Sequence, residues 1–263
     1  RPEYLFLTSG IDHTGNDKWE PGVYVLLAED YDYDGDEEVF VYVSPGRDLE
    51  PRALFCVDPQ RLIIEWSLPV SSIVTTGSFY SCRDSVDPGV IFTTANVKNG
   101  VADELFDDSF SYLARVSSRG EPSFRYIISE EHSGGGLWPA ETPGEFFLYH
   151  PMSLVAPEDT AALPGHIPRL SKIDAQGNVL HSTAVETPLA DAWMADYTDQ
   201  HGPCLYTLST TGEVGIYDTS LTLLARSGET TLRQMLEPLR VEGVDDSVRI
   251  FSTTAGLGFY TDD

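Results

Sequence analysis

Apolar and polar positions alternate along most of this chain, in short runs separated by small polar turns. Four stretches carry the pattern twice over, as a strand, a turn and a second strand: "ALFCVDPQRLIIEWSL", "YLARVSSRGEPSFRYII", "LSKIDAQGNVLHSTAV" and "VGIYDTSLTLLARS". A period of two bounded by Asp, Ser, Asn and Gly predicts a β-hairpin in each. Asp58, Ser117, Asp174 and Asp218 occupy the same place at the head of each turn. A fifth copy starts as "LGFYTDD", with Thr261 in that place, and the chain ends inside the turn.

Two further strand-like runs precede the hairpins. They are "GVYVLLAED" and "EEVFVYVS" in the first unit, "SIVTTGSFYS" and "GVIFTTAN" in the second, and "DAWMADY" and "PCLYTLS" in the fourth; in the third, "GEFFLYH" is clear and its predecessor is not. Four short strands recurring at about 40 to 55 residues predict an all-β fold, a β-propeller of five four-stranded blades in a single domain over residues 1–263. The strand-like "EYLFLTSG" near the start would complete the truncated fifth blade, pairing chain start with chain end so that no outer edge is left bare. One stretch departs from the pattern: in "TTLRQMLEPL", Leu232, Met235, Leu236 and Leu239 fall at helical spacing.

Charge narrows the function classes. The 263 residues hold 42 acidic and 16 basic side chains, a formal net charge of −26, and only Lys18, Lys98 and Lys172 are lysines. A field of that sign repels phosphate backbones and anionic lipid, which argues against nucleic-acid partners and membrane-surface contact. Abundant carboxylates with few lysines point to a salt-adapted, halophilic surface. Cys56, Cys82 and Cys204 are odd in number and widely spaced, and form neither a disulfide framework nor a zinc signature. No apolar stretch approaches the ~20 residues of a spanning helix. A chain opening at Arg1 without a leader reads as a piece of a longer protein.

The densest chemistry lies between the first two strands, where "AEDYDYDGDEE" carries seven carboxylates. Asp30, Asp32 and Asp34 stand at positions 1, 3 and 5 of a loop, Gly35 at 6, the Asp36 carbonyl at 7 and Glu38 at 9. Hard oxygen donors at alternate positions, with a glycine permitting the sharp turn, can wrap one calcium ion. The loop is no EF-hand, because position 12 is Val41 and the flanks are strands. DxDxDGxxE between two strands resembles the calcium-bearing loop of FG-GAP and VCBS repeat propellers. That resemblance covers residues 23–70 and implies a structural calcium held by Asp30, Asp32, Asp34, Asp36 and Glu38. The second and fourth units keep only Asp84 with Asp87 and Asp196 with Asp199, so no metal role is carried to them.

No HExxH, GxSxG, P-loop or dinucleotide motif is present, and the chain is not expected to be an enzyme. The least regular stretch, residues 130–169, holds His132, Trp138, Tyr149 and His150, candidate ligand-binding residues on a long loop over a rigid scaffold. Trp66 and Trp193 lie inside strand patterns and are expected in the core. The family resemblance implies a recognition module for a small molecule, glycan or protein. It would be extracytoplasmic, periplasmic or extracellular, as the sensor domain of a membrane-anchored bacterial signalling protein such as a histidine kinase. The alternatives are a secreted carbohydrate-binding or glycosidase-like propeller and an adhesin-type protein-binding module.

Overall fold

A computed structural model describes residues 11–12, 22–44, 49–50, 52–82, 87–98, 105–130, 134–162, 166–198, 202–228, 239–240 and 248–249. Sixteen of the described strands form four antiparallel four-stranded sheets, each a meander in chain order. The first contains β1 (Gly22–Glu29), β2 (Glu38–Ser44), β3 (Ala53–Asp58) and β4 (Ile63–Pro69). The second contains β5 (Ile73–Cys82), β6 (Gly89–Ala95), β7 (Ser111–Ser117) and β8 (Pro122–Ser129). The third contains β9 (Gly136–Pro139), β10 (Glu145–His150), β11 (Arg169–Asp174) and β12 (Val179–Ala184). The fourth contains β13 (Leu189–Thr198), β14 (Gly202–Ser209), β15 (Val214–Tyr217) and β16 (Leu223–Arg226). Two-residue pairings, Ile11–Asp12 with Leu49–Glu50 and Leu239–Arg240 with Val248–Arg249, complete the described strands.

The four expected hairpins are all present, and they match in detail. In each, the third strand breaks register with the fourth just before the turn, between Cys56 and Val57, Arg115 and Val116, Lys172 and Ile173, and Ile216 and Tyr217, and the second hairpin has a further break between Ser111 and Tyr112. Every turn is closed by the residue that heads it. Asp58 Oδ1 accepts from the Gln60 and Arg61 amides, Ser117 Oγ from Arg119 and Glu121, Asp174 Oδ1 from Asn178, and Asp218 Oδ1 from Ser220 and Thr222. A short side-chain acceptor at the head of a turn satisfies amides that no ladder reaches. The turns then need a left-handed residue, supplied by Gly120 (φ 79°) and Gly177 (φ 81°) in two of them and by Leu62 (φ 53°) and Leu221 (φ 65°) in the others.

The expected fifth hairpin at "LGFYTDD", the closing strand at "EYLFLTSG" and residues 230–238 of the helical pattern lie outside the described residues. Four sheets, not five, stand among those described. Two compact units divide the chain: Arg1–Leu137 with His150–Gly165 and Ala175–Gly177, and Trp138–Tyr149 with His166–Asp174 and Asn178–Asp263.

Within the first unit, the inner faces of the first two sheets share one core. A run of aromatic contacts threads it, from Tyr31 to Phe40 (4.8 Å, edge-to-face), Phe79 (5.4 Å), Phe92 (5.6 Å), Phe106 (6.1 Å) and Tyr112 (5.4 Å). Such pairs add about 0.5–1.5 kcal/mol each beyond the area they bury. In the second unit Phe147, Tyr149, Leu170, Val185, Ala192, Leu205 and Leu221 form a separate cluster. Trp66 is buried as expected, whereas Trp193 is 38% exposed. Trp193 sits on β13, an edge strand of its sheet.

Candidate metal centre

The acidic loop joins β1 to β2. The register pairs Glu29 with Glu38 at its base, then Leu27 with Phe40, and Phe40 with Cys56 on β3. Side chains alternate along a strand, so Glu38, Phe40 and Cys56 face the same side of the sheet. Tyr33 (φ 64°) and Gly35 (φ 96°) turn the loop back through left-handed backbone. The Asp34 amide donates to Asp32 Oδ1 (3.3 Å) and the Asp36 amide to Asp34 Oδ1 (2.9 Å).

Ligand atoms of Asp30, Asp32 and Glu38 all lie within 4.8 Å of one another. Glu38 is 2% exposed, and its Oε2 has no hydrogen-bond partner; neither does the buried Oδ1 of Asp30. Burial, then the charge of Asp32, pushes the Glu38 carboxyl up to about 7, against one hydrogen bond from the Tyr31 amide, with Glu65 and Asp34 raising it further. Asp32 is raised as well, by burial first and then by Asp34 and Asp30, although backbone amides oppose the shift. Three converging carboxylates with orphaned buried oxygens fit a hard divalent cation.

Of the other expected ligands, the Asp34 carboxylate is not in this group, and the atom expected of Asp36 is its backbone carbonyl rather than its side chain. Asp34 is exposed and accepts the Asp36 amide. Asp36 turns its carboxylate to Arg61 (2.7 Å), which also reaches Asp58 (3.2 Å). A guanidinium within reach competes for that side chain. Tyr31, which the loop pattern passed over, anchors the loop from below: it is fully buried, donates to the Ser118 carbonyl (3.0 Å) and accepts from Trp66 Nε1 (3.4 Å).

The corresponding loops of the next two sheets are neutralised by the protein itself. Gly89 occupies the Glu38 position in the second sheet, and the register pairs Ile91 with Arg115 as it pairs Phe40 with Cys56. Arg115, 3% exposed, reaches Asp87 in the β5–β6 loop through Nη1 to Oδ2 (3.1 Å) and through Nη2 to the backbone carbonyl. In the third sheet Glu145 begins β10, and Lys172 stands two residues before the turn of β11. Its ammonium lies 2.8 Å from both Glu141 in the β9–β10 loop and Glu145, above the Phe147 ring (5.8 Å). Burial alone would lower Lys172, but hydrogen bonds to Glu141 and Glu145 outweigh it and hold the group above the usual lysine value. In the fourth sheet the two positions are Cys204 and Ile216, packed in an apolar cluster. Reading two residues back from the aligned turns, Cys, Arg, Lys and Ile, would have exposed this series in the sequence.

Of the expected ligand-binding residues, His132 lies outside the described residues. The rest are on strands rather than on a long loop. Tyr149 and His150 are buried on β10, with burial raising the Tyr149 hydroxyl, and His150 Nδ1 lies against the Met152 carbonyl. Trp138 on β9 packs against the second unit's core. Tyr149 and His150 are thus enclosed, while Trp138 is half-buried. In the first unit an open cleft of about 490 Å³ is lined by Lys98, Asp108, Ser109, Phe110 and Glu130. Its wall is held by the Val97 and Lys98 amides on the Asp108 carbonyl (3.1 Å each) and by Asn96 Nδ2 on the Ser109 and Glu130 carbonyls.

No family model and no curated protein matches this chain. Among solved structures it is similar to the WD40 domain of Toxoplasma gondii coronin, with 11% identity, a TM-score of 0.52, and 89% of this chain and 54% of that one covered. It also matches BBS1N, solved in complex with ARL6DN, at 14% identity, TM-score 0.43, and 88% and 57% coverage. A third match is a protein of unknown function from Bacteroides caccae, at 11% identity, TM-score 0.40, and 76% and 61% coverage. The chain spans little more than half the length of these structures. The coronin likeness carries the fold assignment: an all-β chain of the propeller class.

Proposed function

We propose that this chain is a non-catalytic recognition propeller whose first sheet is braced by a calcium ion. The observation that supports the ion is Glu38, a buried carboxylate with an unpartnered oxygen that converges with Asp30 and Asp32. Asp30, Asp32 and Glu38 would hold the cation, and backbone carbonyls and water can fill the remaining positions. All-oxygen donors favour calcium or magnesium over softer metals. Magnesium demands tighter octahedral geometry and surrenders its waters reluctantly, so calcium is the better fit. The cation supplies charge neutralisation there. Tyr31 then keeps the loop seated on Trp66 and on the Ser118 turn, so that loop order stiffens both sheets of the first unit.

Recognition is the role proposed for the scaffold, because a propeller presents loops on a rigid frame. The finer reading is an extracytoplasmic sensor domain of a membrane-anchored bacterial signalling protein, such as a histidine kinase. It rests on the likeness of the acidic loop to FG-GAP and VCBS repeats. Extracellular calcium modules work at Kd of about 10⁻⁴–10⁻³ M, a range suited to a site with three convergent carboxylates. Calorimetric titration of chelator-treated protein tests the ion: saturable calcium heat with weaker magnesium heat is expected, and no saturable heat at millimolar calcium overturns it. The coding sequence on either side tests the sensor reading: a spanning helix followed by a kinase is expected, and a leader with nothing downstream overturns it.

A further inference from the structure

Three sheets of one chain present the same two positions, the first residue of the second strand and the residue of the third strand two before the hairpin turn; in the fourth, the second-strand position matched by register is the third residue of β14. The pairs are Glu38 with Cys56, Gly89 with Arg115, Glu145 with Lys172, and Cys204 with Ile216. Their correspondence rests on strand register in the first, second and fourth sheets, on the Lys172–Glu145 contact in the third, and on the register break that follows the third-strand residue in every hairpin. We infer that this third-strand position is a counter-ion position, and that Cys56 makes the first sheet dependent on an imported cation where Arg115 and Lys172 make the second and third sheets independent of one. The inference rests on the cation reading of Asp30, Asp32 and Glu38 given above.

Charge at each pair supports it. Glu145 and Glu38 hold the same place, yet Glu145 meets an ammonium at 2.8 Å while the charges acting most strongly on Glu38 belong to Asp32, Glu65 and Asp34. In the second sheet no acid begins β6, and Arg115 pairs through Nη1 and Nη2 with Asp87 of the loop. A Cβ on Gly89 would meet the Val116 carbonyl at 2.3 Å, so the second sheet has no room for the glutamate. In the fourth sheet both positions are apolar or neutral. Cys56 is fully buried and uncharged, and its thiol lies 3.6 Å from Glu65 Oε2. Burial pushes that thiol well above its usual value, with Glu65 and Glu38 adding to the shift, so it stays neutral and offers the glutamate nothing. A buried carboxylate group without a cation is strongly unfavourable, and a side-chain ammonium or a metal ion answers it equally well.

The test transplants the third sheet's solution. In the full chain, Cys56→Lys should raise the melting temperature in chelator by a few degrees and weaken calcium binding by on the order of a hundredfold, because an ammonium now faces Glu38 as Lys172 faces Glu145. A folded Cys56→Lys protein that binds calcium as tightly as wild type overturns the inference. Should the wild type bind no calcium, the cation reading falls by itself; the counter-ion inference is then judged on the melting temperature of Cys56→Lys in chelator, and no rise overturns it. Cys56 is fully buried, and if lysine there leaves no folded protein to titrate, a second set of variants is used. Lys172→Met then decides. It should lower the melting temperature, and adding Glu145→Gln should recover part of that loss; no recovery overturns the inference.

Discussion

The first and third sheets share a strand order, a hairpin register break and a glutamate at the start of the second strand, but they surround that glutamate differently. In the third, Lys172 bonds to Glu145 and to Glu141 of a short loop, and the loop carries no further carboxylate. In the first, Glu38 faces Asp30 and Asp32 of an acid-rich loop, and the lysine position is Cys56. The backbone plan is indifferent to this choice, since both sheets form the same ladders. Two side chains on non-adjacent segments set the ion chemistry, and the fold merely holds them at a fixed separation.

The largest effect should come from the core beneath each glutamate. Phe40 and Phe147 are both fully buried. Phe40→Ala and Phe147→Ala should each lose about 3–5 kcal/mol in urea titrations. A loss under about 1 kcal/mol at Phe40 would mean that the aromatic run through Tyr31, Phe79 and Phe92 does not hold the first unit together. Calcium withdrawal comes next and should act through the first sheet and not through the third. Loading at a hundredfold excess over Kd should stabilise the wild type by about 2.7 kcal/mol, and Glu38→Gln or Asp30→Asn should remove that response. A variant of Lys172 that altered the calcium response would erase the distinction between the sheets.

Lys172→Met should cost about 1–3 kcal/mol, less than a wholly buried pair because Glu141 and Glu145 remain about a quarter exposed. The group's value is raised in the folded protein. Its contribution is therefore complete below the unfolded lysine value of roughly 10.4 and lost as pH climbs through the folded one. The stability gap between wild type and Lys172→Met should stay level from neutral pH and close only above about pH 10.5. A gap that narrowed between pH 5 and 8 would point to a different partner.

The smallest effect belongs to the turns, which the sheets share. Asp218→Ala should cost about 1 kcal/mol, through loss of acceptance from Ser220 and Thr222. Burial would raise the Asp218 carboxyl, but the Ser220 hydroxyl and the Thr222 and Ser220 amides overcome it and hold it below the usual range. That contribution is present above the unfolded value of roughly 3.9 and disappears as pH falls through the folded one. An acid titration of the melting temperature of wild type against Asp218→Ala checks the sign.

The strand meander was legible because its signals are local. Alternation, turn residues and the repeated hairpin are written within about 16 residues of each other, and all four hairpins stand where the alternation put them. The strand at "GEFFLYH" was legible, but its partner β9, which carries Trp138, was not, because the stretch before it is rich in Gly and Pro and composition does not reveal that the two pair. The acidic loop was visible as a pattern, but spacing did not say which of its side-chain carboxylates meet. Arg61, on a different hairpin, draws Asp36 aside, and only Asp30, Asp32 and Glu38 converge.

By itself, then, the sequence determined where the chain turns, which faces of its strands are apolar and where carboxylates accumulate, because each depends on neighbours in the chain. Tertiary structure decided which carboxylates meet, and whether a lysine, an arginine or neither answers them. Glu38 and Cys56, like Glu145 and Lys172, belong to separate strands, and only antiparallel pairing brings each pair to one face of its sheet.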